Sequence, residues 1–145
     1  MAAGTSPGFR NKILKAIFWG TSIAGVSDNA GTSPNTSIYV SGHTADPSGS
    51  DAQTASEISY TGYARVPVPR DNTGFAITGN TVKPVNTVTF PASSGGTGGT
   101  ITHMGYGKAS SGTGELWYSG PCTPNIVVTS GVTPAATNNS TGTET

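Results

Sequence analysis

The chain has 145 residues, of which 33% are hydrophobic and 10% are charged, with seven basic and seven acidic side chains. This length is about that of one domain, and Gly, Ser and Thr replace the missing groups, a composition of the β type. The net charge of zero gives no basis for binding nucleic acid or an anionic membrane surface, because such binding grows with the number of available Lys and Arg side chains. We therefore predict neither as a partner.

The cysteine content and the N-terminal residues argue against two further classes of protein. Cys122 is the single cysteine, so an internal disulfide and a cysteine-based zinc cluster are excluded, and we expect an inert thiol. Lys15 interrupts the apolar run near the N-terminus, so we predict no signal peptide. No window approaches the roughly 18 apolar residues of a membrane span.

Residues 1–20 are predicted to contain one short amphipathic helix, from about Pro7 to Trp19, because apolar residues recur there at helical spacing. Ser6 is the expected N-cap, Pro7 the first helical residue and Gly20 the exit. A helix of about three turns is marginal alone in water. Its apolar stripe must therefore rest either on its own domain or on another subunit.

Residues 21–37 are predicted to form an extended arm, since Gly, Ser, Thr, Asn and Pro dominate and only Ile23 and Val26 are apolar. From residue 38 to residue 131 the apolar period becomes two, with polar turns between short runs. This pattern predicts an all-β domain, an antiparallel β-sandwich or jelly roll of about seven or eight strands. The expected strands are 38–40, 63–68, 75–77, 81–83, 87–90, 100–106, 115–118 and 126–129.

Prolines and glycines specify details of this domain. Pro67 and Pro69 lack N–H donors, so the strand that contains them is an edge or bulged strand, and Gly79-Asn80 predicts a tight hairpin. Residues 132–145 contain no large apolar residue after Val132 and are predicted to be a polar tail, ordered only against a neighbour. The residues predicted to face the core are Ile38, Val40, Val66, Val68, Val88, Phe90, Ile101, Met104, Leu116, Tyr118 and Val127, with Trp117 as an additional candidate.

The candidate chemistry begins with His43 and Asp46. A His-Asp pair can serve base catalysis or a metal, but this needs a nucleophile or a third ligand, and the only other histidine is His103. We prefer a structural interpretation, in which His43 ends a strand and Asp46 accepts backbone N–H groups in a turn. The carboxylates show no spacing typical of a glycosidase pair. We expect no enzymatic activity, no metal and no cofactor.

Several short motifs follow one another in the sequence: HTADP at 43–47, Glu57, GYAR at 62–65, VTFP at 88–91, ITHMG at 101–105 and GELWYSG at 114–120. In this order, across about residues 37–131, they resemble a family of small tailed-phage virion proteins known as head-decoration or tail-fibre proteins. The resemblance implies a non-enzymatic, structural role on the virion. The residues to which it assigns structural roles are His43, Asp46, Pro47, Tyr63, Arg65, His103 and Trp117.

These observations favour a protein that is stabilised by its neighbours in an assembly. We predict a capsid decoration (cement) protein on the phage particle, assembled in the host cytoplasm and bound to the major capsid protein as a homo-oligomer, for example a trimer. The residues predicted to contact the capsid or another subunit are Phe9, Ile13, Leu14, Ile17, Phe18, Trp19, Ile23 and Val26.

Two alternatives rank behind this prediction. The first is a tail-fibre or baseplate module that contacts tail proteins and serves host attachment, which exposed Tyr and Trp side chains in loops at one end would favour. The second is a small hydrolase that uses His43 and Asp46, or a carbohydrate-binding module with an aromatic floor. The aromatic residues considered for that floor are Tyr39, Tyr60, Tyr63, Tyr106, Trp117 and Tyr118.

Overall fold

The computed structural model describes residues 7–22 and 35–143. The helix in these ranges, α1, is Pro7–Phe18, within one residue of the predicted bounds. The nine strands in these ranges are β1 Ser37–His43, β2 Val66–Pro69, β3 Phe75–Thr78, β4 Thr81–Pro84, β5 Val88–Thr89, β6 Gly99–Gly107, β7 Leu116–Val128, β8 Ala135–Ala136 and β9 Gly142–Thr143. The predicted all-β class is confirmed. No helix within the described ranges has the length and hydropathy that crossing a membrane requires.

The described strands form three antiparallel sheets. The largest has the order β2-β1-β6-β7, the second has the order β3-β4-β9, and the third pairs β5 with β8. The strand that contains Pro67 and Pro69, β2, lies at an edge of the largest sheet, as predicted, because an edge strand needs no N–H donors on its outer side. The two segments expected as separate strands, 115–118 and 126–129, are joined almost completely into β7.

The two faces of the largest sheet are covered by different parts of the chain. The strand register places Val40, Tyr106 and Tyr118 side by side on one face, and Phe18 of α1 packs there, with ring centroids 5.9 Å from Tyr106 and 5.5 Å from Tyr118. Ser41 and His43 alternate with Val40 and point to the opposite face. Residues 44–65 cover that second face, since the His43 ring is bonded to the carbonyl of Ala55.

The apolar stripe of α1 rests on its own domain. Leu14 and Phe18 are 0% exposed within the chain, and the Phe18 ring meets the Phe75 ring edge to face at a centroid distance of 4.8 Å. The expectation that Leu14 and Phe18 contact a capsid protein or another subunit is therefore wrong. The physical reason is that β3 and β4 provide an apolar wall, including the fully buried Phe75 and Val82.

Of the remaining residues predicted to contact the capsid or another subunit, some are half-buried in the structure and others lie outside its described ranges. Ile13, Ile17 and Trp19 are half-buried and keep part of their surface exposed, so their role in an assembly stays a prediction. The Trp19 indole Nε1 donates a hydrogen bond to the Phe75 carbonyl at 2.9 Å. Outside the part of the chain that the structure describes lie the side chain of Phe9 and the residues Ser6, Ile23 and Val26.

The C-terminal segment belongs to the sheets. β8 pairs with β5, with Ala136 opposite Val88, and β9 pairs with β4, with Gly142 opposite Val82. Ala136 and Ser140 are buried. The prediction of a tail ordered only by a neighbour is therefore wrong for residues 133–143. Strand pairing uses backbone groups, which small residues supply as well as large ones, so the lack of large apolar side chains was no measure of order.

The core agrees with the prediction in most positions but not at the end of β7. Val127 is 64% exposed and the adjacent Val128 is buried. Successive side chains in a strand point to opposite faces, so an assignment that is one residue off reverses the face of the side chain. Four other predicted core residues are only half-buried, namely Val66, Leu116, Trp117 and Tyr118.

Candidate functional site

The ring of His43, at the end of β1, is fully buried and bonded at both nitrogens. Nδ1 lies 2.7 Å from the Ala55 carbonyl, and Nε2 lies 2.8 Å from the Ser41 hydroxyl. A carbonyl only accepts, so Nδ1 carries the hydrogen and Nε2 accepts from Ser41. Burial lowers the pKa of His43, and the hydrogen bond to Ala55 and the charge of Glu57 oppose this effect. The ring is thus a neutral link between the sheet and residues 44–57.

Ser41 and His43 have the hydrogen bond of a nucleophile and its general base, but their surroundings exclude a substrate. Both side chains are 0% exposed. The backbone of Gly105 in β6 lies directly against them, so that a methyl group at that position would stand 2.3 Å from the His43 Nε2 atom and 2.7 Å from the Ser41 Oγ atom. There is no room beside the hydroxyl for a reacting group, so the pair has a structural role.

Asp46 is separate from His43 in its contacts. Its Oδ1 atom accepts a hydrogen bond from the Ser48 backbone N–H at 2.9 Å, and this bond lowers the pKa of the exposed Asp46 carboxyl. Pro47, which follows it, is buried. The preferred structural interpretation of this motif is confirmed: Asp46 forms a turn, as an Asp before a proline commonly does.

Glu57, Tyr63 and Arg65 form one hydrogen-bonded group. The Arg65 guanidinium binds both Glu57 oxygens at 2.7 Å, and the Tyr63 hydroxyl donates to Glu57 Oε1 at 2.7 Å. The side chains of Arg65 and Glu57 are only 2% and 12% exposed. Hydrogen bonding to Glu57 raises the pKa of Arg65, and burial raises that of Tyr63. A buried ion pair with these additional bonds is a structural anchor rather than a reactive carboxylate.

The same guanidinium also fixes a loop. Arg65 donates to the carbonyls of Ala109 and Gly112 at 3.0 and 2.7 Å, and Tyr63 accepts the Gly42 N–H at 3.2 Å. Residues 108–114 are therefore tied to β1 through this group. An open cleft of about 250 Å³ lies beside it. The cleft is lined by Glu57, Tyr63, Ala64, Arg65, Ser110, Ser111 and Gly112.

The structure brings together only part of the residue set that the motifs indicated. Tyr63 and Arg65 meet through Glu57, and His43 lies close enough for the charges of that pair to act on its pKa. His103 is opposite His43 in the strand register, but its Nδ1 atom lies 3.0 Å from its neighbour Thr102. The other motif residues have separate contacts: Asp46 accepts from the Ser48 N–H, Pro47 is buried, and the Trp117 indole donates to Glu115 at 3.4 Å.

The aromatic residues considered for a carbohydrate floor do not form one surface. Tyr60 and Tyr106 are buried in the core. Trp117 and Tyr118 lie on β7 rather than in a loop, and both are half-buried. With Ile17 they help to line a cleft of about 340 Å³, whose fourth lining residue is Arg70.

Arg70 has a role that the sequence analysis missed. Its Nε and Nη2 atoms donate to the carbonyls of Ile17 and Ala16 at the end of α1, and its Nη1 atom donates to the Asn35 carbonyl at 3.3 Å. The last carbonyls of a helix lack partners within the helix and attract a cation. The predicted end of the helix indicated that its last carbonyls would need a partner, but no local pattern indicated that Arg70 would be that partner.

Cys122 is free and buried, and its thiol donates to the Pro124 carbonyl at 3.4 Å. Burial raises the pKa of this thiol, which keeps it protonated and unreactive, in line with the expectation. Within the described ranges, no group of three or more His, Cys, Asp and Glu side chains could hold a metal ion.

The described residues thus define an all-β domain whose buried polar side chains are mostly hydrogen-bonded within the domain, to side chains or to the backbone, as in a structural module. A family model described as Podophage GP4 fiber I protein gp80 matches residues 5–143. The chain belongs to this family, and it is a structural protein of the phage virion. The resemblance to phage virion proteins is confirmed to that extent. No curated protein matches the sequence.

Proposed function

We propose that this chain is a structural subunit of a tail fibre, and that it acts by non-covalent assembly in host attachment rather than by catalysis. The observation that carries the proposal is the match of residues 5–143 to a family described as a fibre protein. The capsid decoration protein favoured by the sequence alone ranks second, because nothing in that description refers to the head.

The geometry supports a scaffold rather than an active site. His43, Glu57 and Arg65 are all hydrogen-bonded within the chain, so their polar atoms are already engaged by other groups of the protein. A satisfied buried polar network stiffens the domain that contains it. A stiff small domain can hold its outer surface in a constant shape, which is what a repeating subunit of a fibre requires.

We further propose that copies of the chain associate, and that the exposed parts of Ile13, Ile17 and Trp19 contribute to the contact. Ile17 lines the cleft that it forms with Arg70, Trp117 and Tyr118, and Trp19 lines a second cleft with Thr21, Asp71 and Asn72. Tyr and Trp are enriched at protein interfaces because they bury a large area while keeping one polar atom for a hydrogen bond. The predicted trimer is one symmetry that such an oligomer would adopt.

The location on the particle tests the fibre assignment directly. Antibodies raised against the purified protein would be used to label intact virions for electron microscopy. We expect label on fibres at the tail. Label distributed over the head shell would overturn the proposal and favour capsid decoration instead.

The absence of catalysis and the association of copies need separate measurements. Native mass spectrometry of the purified chain is expected to show an oligomer. The double variant Ile17→Ser, Trp19→Ser is expected to form smaller assemblies. A screen against polysaccharides and esters is expected to show no turnover. Turnover that His43→Ala abolishes in a folded protein would contradict the structural role.

A further inference from the structure

Residues 44–57 lie on the face of the largest sheet that carries Ser41 and His43, called the polar face below. They include a turn with a strained backbone at Ser56. Ser56 has a φ of 52° and is the one non-glycine residue with positive φ in the described ranges, a conformation that side chains disfavour. Both sequence neighbours of Ser56 interact with His43. The Ala55 carbonyl accepts from its ring at 2.7 Å, and Glu57 forms a backbone bridge with it.

We propose that His43 is a proton-operated latch: its neutral ring holds the turn at Ser56, and protonation of the ring releases residues 44–57 from the sheet. This inference goes beyond the proposed function, since it concerns the domain itself and holds wherever on the virion the domain is placed. A backbone outlier next to a buried titratable ring is the kind of observation from which a switch can be inferred.

The hydrogen bonds of the ring allow only one protonation state without loss. Nδ1 must carry its hydrogen to bond the Ala55 carbonyl, so Nε2 must be bare to accept from the Ser41 hydroxyl. A second proton, on Nε2, would turn that atom into a donor to the Ser41 oxygen, and the Ser41 hydrogen would lose its acceptor, while the Nδ1 bond to Ala55 would remain. The charged ring is opposed mainly by its burial, since His43 is 0% exposed. The ring cannot move away toward β6, because the Gly105 backbone fills that side.

The charges that face His43 compensate a positive ring only in part. Glu57 would attract it, but Arg65 binds both oxygens of that carboxylate and repels the ring. His103, when charged, also opposes protonation of His43. Burial raises the pKa of Tyr63, which therefore stays neutral and supplies no anion. Glu57 and the Ala55 hydrogen bond therefore offset only part of the cost of burying a charged ring, and the pKa of His43 stays lowered.

The sign of the pH dependence follows from the lowered pKa of His43. In the unfolded or released segment the ring takes up a proton near its ordinary pKa of 6.5, whereas in the latched state it does so only at lower pH. The stabilising contribution is therefore complete above the ordinary value. It decreases as the pH falls below that value toward the lowered pKa of the latched ring.

Release is expected to be local. Gln53 belongs to this segment and is fully buried, with its Nε2 atom donating to the Tyr39 carbonyl at 3.3 Å and its Oε1 atom accepting from the Ala109 N–H at 3.0 Å. Loss of the latch loosens these two bonds and exposes the polar face. The opposite face is held by Phe18 and its aromatic neighbours, which do not titrate in this range.

Hydrogen exchange followed by mass spectrometry tests the latch on the full-length protein. After correction for the intrinsic pH dependence, we expect exchange of peptides from residues 44–57 to rise at least about tenfold between pH 7 and pH 5. Peptides from α1 should not change. His43→Gln, whose amide can donate to Ala55 but does not titrate, should remove the rise. A rise that persists unchanged in His43→Gln overturns the proposal.

A matched variant separates His43 from the other histidine. His103→Asn removes that histidine and should keep the rise over the same pH interval. Disappearance of the rise in His103→Asn would contradict a latch at His43. In the unmodified protein, NMR measures the imidazole titration of His43 in the latched state, and the rise in exchange must level off at the pH of that titration. A rise that levels off at a clearly different pH overturns the proposal without any variant. Fibre labelling of virions is independent of all these results.

Discussion

The two faces of the largest sheet are held by different kinds of interaction. On one face, Phe18 of α1 packs among Phe75, Tyr106 and Tyr118 at centroid distances of 4.8 to 5.9 Å. On the other face, residues 44–65 are held by hydrogen bonds of His43 and by the ion pair of Arg65 with its carboxylate partner.

The difference between the faces determines how each responds to change. Apolar burial is non-directional and roughly proportional to area, so the α1 face should lose stability according to the volume removed. The polar face depends on partners, since a buried group that loses one is left unsatisfied. Its response should therefore depend on which partner remains, and it alone should respond to pH.

The largest effect is expected from Phe18→Ala on the apolar face. Phe18 is fully buried and contacts three aromatic rings, so its truncation should lower the free energy of unfolding by about 3–5 kcal/mol. Urea unfolding measures the change. Val127→Ala, at an exposed position, should remain within about 0.5 kcal/mol of the unmodified protein. Similar losses for the two variants would contradict the packing of α1 into the core.

The second effect is expected from Arg65→Met on the polar face. Removing one partner of a buried ion pair leaves the carboxylate of Glu57 uncompensated, and the expected loss is about 3 kcal/mol. The double variant with Glu57→Gln should lose less than the sum of the single variants, because the pair is removed as a unit. Strict additivity in the four-protein cycle would show that the two side chains are not coupled.

A smaller effect is expected where α1 ends. Arg70→Gln removes the charged hydrogen bonds to the carbonyls of Ala16 and Ile17, and we expect a loss of about 1–2 kcal/mol in the free energy of unfolding. Lys12→Gln removes an equal charge from an exposed position of the same helix and should have little effect. Equal losses would attribute the change to net charge rather than to the helix end.

The smallest effect has the opposite sign. The Tyr106 hydroxyl is buried and has no hydrogen-bond partner among residues 7–22 and 35–143, so Tyr106→Phe should raise the free energy of unfolding by about 1 kcal/mol. The Tyr60 hydroxyl donates to the Pro91 carbonyl at 2.8 Å, so Tyr60→Phe should lower it by about 1 kcal/mol. Thermal unfolding of both variants checks the signs, and a destabilised Tyr106→Phe would reveal a partner for that hydroxyl.

Part of the candidate site could be predicted because its signals are local. Asp46 before Pro47 indicated a turn, and the structure has one. The motif residues Tyr63 and Arg65 were identified, but their bond to Glu57 and the link to the loop at 108–114 arise between positions far apart in the chain. No pattern within one segment states which distant carbonyl an arginine will reach.

The sequence by itself determined the features that neighbouring residues control. Pro7 marked the start of α1, Pro67 and Pro69 marked an edge strand, and Gly79, with a φ of 62°, marked the hairpin between β3 and β4. In each case the backbone freedom or missing donor of one residue restricts the local conformation.

Tertiary structure alone decided which surfaces these elements cover. It placed α1 on its own domain, turned Val128 rather than Val127 inward, and paired β8 with β5 and β9 with β4. Each outcome depends on a partner far away in sequence. Where the contact is made through backbone groups, side-chain hydrophobicity cannot predict it, because nearly every residue has the same N–H and C=O groups.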